Sequence, residues 1–162
     1  MGRFYSVPFS GVAVSAAVDS FQLVVPAQAS GGKPIRIQEI IIGQASDYGD
    51  TAAEGLSVLV KRASGVYTAG SGGTSVTPVP HDSNTSAAAF TASTNNTTQA
   101  AAGSGSLTTV RGDALNVQSG WAYQPIPSQA LQFNPGEACV VSITVPADAL
   151  TMSGTIVVEE LN

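Results

Sequence analysis

Apolar and polar residues alternate along both ends of this chain, and apolar residues thin out in its middle. In LSVLVKR, Leu56, Val58 and Val60 take one face while Ser57, Leu59 and Lys61 take the other, the period-two signature of a strand half buried in a sheet. PIRIQEIIIG sets Ile35, Ile37 and later Ile41 against Arg36, Gln38 and Glu39. FSGVAVSAAV and SFQLVVPA read as strands bounded by Gly11 and Pro26. Beyond the middle, SLTTVRG, ALNVQSG, QALQFN, EACVVSITVP and GTIVVEEL give further strands, punctuated by Gly112, Gly120, Pro135-Gly136, Pro146 and Gly154. Asn134-Pro135-Gly136 predicts a tight turn, because proline presets one turn angle and glycine accepts a positive one. No segment carries a sustained helical stripe; SDYGDTAAEG and PADAL read as single turns or loops. The pattern predicts one all-β domain over residues 1–162, an antiparallel β-sandwich of jelly-roll or related topology.

Residues 65–106 are mostly Gly, Ser, Thr, Ala and Asn. A structureless loop of roughly 40 residues inside a compact domain needs a function, and ordering it costs on the order of 40–80 kcal/mol. Its small side chains bring little burial to offset that, so the stretch is expected to be an extended arm held by another surface. Deleting residues 70–103 should then leave the sandwich folded and weaken attachment. Residues 1–10 read as a second, N-terminal arm, with Arg3, Phe4, Tyr5 and Phe9 as interface anchors. The alternative is that Phe4 and Phe9 cap the core of their own subunit.

Charged residues make up only 10% of the 162, against a usual share of about 25%, and the net charge is -5. An acidic, weakly charged skin repels phosphate backbones and anionic headgroups, so neither nucleic acid nor membrane is an expected partner. No apolar run is long enough to cross a bilayer, and the start MGRFYSVPFSG lacks the apolar region of a secretory signal, which predicts a product made without targeting. Cys139 is the single cysteine; alternation puts it with Val141 and Ile143, the setting of a buried inert thiol.

Catalytic raw material is sparse: His81 is the one histidine, and no G-x-S-x-G elbow accompanies the His81-Asp82 pair. No enzyme activity, catalytic residue or cofactor is expected, and His81 reads as a loop histidine touching Asp82 or a neighbouring subunit. Asp47, Asp50 and Glu54 could offer oxygens to calcium, but they lack EF-hand spacing and read as a solvated acidic loop, with no metal expected. Arg111-Gly112-Asp113 spells an adhesion tripeptide by chance, with Gly112 as a turn residue. Trp121 and Tyr123 share one side of GWAYQPIP and could stack a sugar ring or pack at a sandwich edge or subunit contact. Met1-Gly2 with Ser6 fits a myristoylation pattern that bulky Arg3, Phe4 and Tyr5 argue against, and Asn84, Asn95 and Asn96 begin glycosylation sequons expected from composition alone.

The series LVKRASGVYTAGSGGTSVTPVPHD, an Ala/Thr-rich stretch, and GWAYQPIPSQALQFNPGEACVVSITVPADALTMSGTIVVEEL together resemble small tailed-phage structural proteins with a jelly-roll fold, of the capsid decoration or cement type. The resemblance runs from about residue 55 onward. It implies a homotrimer seated on major capsid proteins at the virion surface, contributing contacts and no chemistry. The alternative is a carbohydrate- or receptor-binding β-sandwich of a phage tail or fibre. A hydrolase or isomerase on the same fold would need a pocket gathering His81 with Asp or Glu side chains.

Overall fold

The computed structural model describes residues 2–45 and 54–162. Its strands are β1 (Arg3–Val14), β2 (Val18–Val24), β3 (Ile35–Gln44), β4 (Gly55–Ser64), β5 (Thr74–Val76) and β6 (Val79–Pro80). They continue with β7 (Thr91–Asn96), β8 (Ser106–Asn116), β9 (Trp121–Tyr123), β10 (Gln132–Phe133), β11 (Ala138–Ile143) and β12 (Leu150–Glu160). Sheet I runs β10-β3-β12-β1-β6, with β9 also on β3; sheet II runs β5-β7-β2-β11-β4-β8. All pairings are antiparallel, and the two sheets pack as the expected sandwich.

Alternation builds the core: Tyr5, Val7 and Phe9 of β1 and Ile156 and Val158 of β12 meet Phe21 and Leu23 of β2, Val58 and Val60 of β4, and Val141 and Ile143 of β11. Bulges break the simple period in several strands, and the one in β3 decides which isoleucines face out. In β3, Val158 faces Ile37 and Val157 faces Glu39, so Gln38 is an extra bulged residue. The bulge puts Ile40 and Ile42 in the core with Ile35 and Ile37, and turns Ile41 outward, contrary to the face that strict alternation assigns it. Other boundaries shift too. Gly11, with φ 64, bulges within β1 and does not end a strand. Gly112 and Gly154 sit inside β8 and β12, so SLTTVRG and ALNVQSG join into one strand up to Asn116. The Asn134-Pro-Gly turn forms as expected, with Glu137 N–H donating to Asn134 O at 3.0 Å and Gly136 at φ 88.

Neither expected arm is free. Residues 3–14 form β1, paired along its length with β12, because their alternation buries Tyr5, Val7, Phe9 and Val14. The middle stretch doubles back as a ribbon, bridged at Thr68–Ala101 and Ser71–Thr98, that continues the β4–β8 hairpin. It crosses the outer face of sheet II and adds β7 and β5 to the opposite edge, beside β2. Beneath it, Asp19, Gln22, Val140 and Ser142 are buried although they point away from the core. Gly70 N–H donates to Gln22 Oε1 at 2.7 Å and Ala100 N–H to Asp19 Oδ2 at 2.6 Å, while Ser142 Oγ donates to Asp19 Oδ1 at 2.7 Å. The bland composition is what this close approach demands: a Cβ on Gly70 would lie 2.9 Å from Asp19 Oδ2 and 3.0 Å from Thr98 O. The backbone groups of the stretch find their hydrogen-bond partners within its own domain, so no other surface is needed to pair them.

Candidate interaction surfaces

The N-terminal candidates meet the middle stretch of their own chain. Tyr5 and Phe9 lie in the core, and Tyr5 Oη donates to Ser86 O at 2.8 Å while its ring meets the Phe90 ring edge-on at 5.8 Å. Burial raises the pKa of the Tyr5 phenol, with Glu160 adding to the effect. Arg3 Nη1 donates to Ser86 Oγ at 2.6 Å and lies 3.8 Å from Glu160 Oε1. Of the four, only Phe4 is exposed, at 40%; it stacks on His81 with ring centroids 6.2 Å apart. For Tyr5 and Phe9 the interface role is corrected to a core role, because a side chain already packed inside its subunit has no surface to offer a neighbour.

Glu160 is the residue this reading missed. It is buried, it accepts from Ala89 N–H at 2.6 Å, and Lys33 Nζ lies 3.9 Å away. The alternation Ile156, Val158, Glu160 places a carboxylate on the core face of β12, which was the available signal.

The two sheets differ in what covers them. The middle of sheet II carries the ribbon, and β2 and β11 are buried on both faces. Among the described residues no segment lies over the outside of sheet I, and its outward residues remain partly or fully exposed on β1, β12 and β3. Across its strands one registered row reads Pro8, Thr155, Ile41, Ala122, and the next Val79, Ser6, Val157, Glu39. Ile41 is 43% exposed and Val79 53%. A shallow groove of about 490 Å³ follows Pro8, Ser10, Ile41, Gly43, Ser153 and Thr155, without a charged residue in its lining. Charge gathers at one end, where Glu159 Oε2 accepts from Gln38 Nε2 at 2.7 Å and lies 3.7 Å from Arg36 Nη1, and where Gln124 donates to Glu39.

A second cluster closes the sandwich where β8 meets β9. Arg111 Nε and Nη2 donate to Asp113 at 2.5 and 3.2 Å, Trp121 Nε1 donates to Asp113 Oδ2 at 3.3 Å, and the Arg111 guanidinium lies 4.8 Å from the Tyr123 ring centre. Trp121 and Tyr123 do share one side, and it faces inward: Tyr123 is 6% exposed and Trp121 packs half-buried against the core. Burial also raises the Tyr123 pKa. A cleft of about 410 Å³ lies alongside, lined by Arg111, Tyr123, Gln124, Ile126 and Gln129 among others. The Arg-Gly-Asp tripeptide is therefore part of a paired edge strand, its two charges engaged with each other, and Gly112 is no turn residue.

The remaining candidates are dispersed. His81 Nε2 is 2.7 Å from Ser6 Oγ and the His81 backbone N–H donates to Phe4 O, whereas Asp82 accepts from Asn84 N–H, so the expected His81–Asp82 pairing gives way to contacts with β1. Cys139 is fully buried, and burial pushes its thiol pKa far up. Glu54 accepts from Ala147 N–H at 2.5 Å; Asp47 and Asp50 lie outside the described residues. Among the described residues no cluster of His, Cys, Asp or Glu has the makings of a metal site. Asn95 and Asn96 are buried in β7, which closes two of the three sequons. Comparison with protein-family models, curated proteins and solved structures finds no match.

Proposed function

We propose that this chain is a phage virion structural protein, a capsid decoration or cement subunit that stabilises the head by contacts with major capsid proteins and with its own copies as a trimer. The reading rests on one observation: sheet I presents on its outer face an uncharged row of Pro8, Thr155, Ile41 and Ala122, while the chain's own ribbon seals the middle of the other sheet. Interface centres are poor in charge and gain from excluding water, whereas a rim of charges fixes orientation. Arg36, Glu39 and Glu159 at one end of the face supply such a rim. A surface with few charges lets many copies sit side by side without repulsion, and a trimer gains avidity because its second and third subunits dock at high effective concentration. Sugar binding would call for an open aromatic face, and the Tyr123 ring is already occupied by Arg111.

Shells lacking the subunit, incubated with purified protein and pelleted, test the proposal. Wild-type chain is expected to sediment with shells, and Ile41→Lys to stay in solution while melting at the wild-type temperature, since Ile41 points away from the core. Equal recovery of both in the pellet, or of neither, contradicts it.

A further inference from the structure

We propose that the ribbon and the strands it carries, residues 66–104, form an exchangeable hairpin that occupies its own sandwich in the isolated chain and the β2 edge of a second copy when copies are concentrated. Three features carry this. First, the hairpin leaves the body through glycines on both strands: Gly65 has φ 69, Gly103 has φ 58, and a Cβ on Gly105 would lie 2.3 Å from Ser64 O. Such positions can absorb a large backbone rotation without a side-chain clash.

Second, its hold on the apolar core is concentrated in one large side chain. Over 66–104 the buried apolar residues are Phe90, Ala92 and Ala100, the last two no larger than a methyl group. Third, the β2–β7 seam is flawed. Asp19 pairs with Asn96 and Phe21 with Thr94, but the intervening Ser20 and Asn95 are skipped. Asn95 takes the left-handed φ of 54, and the Ser20 hydroxyl and both polar atoms of the Asn95 side chain are buried without a hydrogen-bond partner. Unsatisfied groups and backbone strain lower the cost of opening this seam relative to the fully paired seam between β11 and β4.

The partner is a second copy because the seam itself defines the fit: β7 of any copy carries the complement of β2 of any other. Exchange restores the same contacts in trans, so its equilibrium is set by hinge conformation and by concentration. The inference shares with the proposed function only the premise that copies meet, and its readout needs no shell.

Val24 and Thr91 face each other across the seam, as Ser57 and Ala114 do within the body. In a Cys139→Ala background, Val24→Cys chains are mixed with Thr91→Cys chains at high concentration, incubated, and oxidised. A covalent two-chain product joining the two variants is expected, well above that from a mixture of Ser57→Cys and Ala114→Cys chains. The double variant Val24→Cys/Thr91→Cys, oxidised when dilute, should close within one chain and establishes that the pair is in reach. If that internal bridge forms yet the mixed single variants give no more two-chain product than the control mixture, exchange is overturned.

Discussion

Cys139 illustrates how one side chain's surroundings set its chemistry. The thiol lies in the core, on the strand between β2 and β4, and burial raises its pKa far above the ordinary value of about 8.5. A raised folded-state pKa means that the folded chain holds its proton where the unfolded chain releases it. This contribution to stability is therefore complete below about pH 8.5 and shrinks above it, by up to about 1.4 kcal/mol per pH unit. Urea midpoints at pH 8 and near pH 10 should fall further for wild type than for Cys139→Ala, whose cavity cost is the same at both pH values; parallel falls would place the thiol in contact with solvent. Tyr5 and Tyr123, also raised by burial, push in the same direction above about pH 10. The burial of Cys139 was legible from alternation in EACVVSITV. That of Tyr5 and Phe9 was not, because an aromatic cluster near a chain start fits an interface as well as a core, and the deciding partners, Phe90 for Tyr5 and Phe21 for Phe9, belong to other elements whose placement the sequence does not give.

The alternating strand β4 and the short apolar run of β11 were readable from the sequence, as was the Asn134-Pro-Gly turn. What alternation could not give was the bulge at Gln38, a two-against-one pairing that depends on the neighbouring β12 and that decides which isoleucines face out. The same limit hid the ribbon. Gly, Ser and Ala in 65–106 describe a free tether equally well as a strip pressed flat on another sheet, and only Asp19 and Gln22, polar residues forced under cover, distinguish the two. The consequence reverses the expected effect of removing residues 70–103. That deletion strips β5, β6 and β7, uncovers Asp19, and takes Phe90 out of the core. Losing a buried phenylalanine side chain alone costs about 3–5 kcal/mol, a large part of the 5–15 kcal/mol that stabilises a typical domain. The shortened chain should show no cooperative thermal transition by circular dichroism; a melt at the wild-type temperature would mean the ribbon is dispensable.

At the scale of the molecule the central fact is asymmetry: among the described residues one sheet is dressed by its own chain and the other is bare. With both expected arms folded into the sandwich, the case for a particle subunit rests on the bare face of sheet I and on the scarcity of charge. Hydroxyl-radical footprinting of the protein free and bound to shells tests that directly. Ile41, Pro8 and Val157 should lose reactivity on the shell, while Val66 on the ribbon and Val145 beyond β11, exposed at 75% and 58%, keep theirs. Unchanged labelling of Ile41 on the shell together with protection of Val66 would contradict the account.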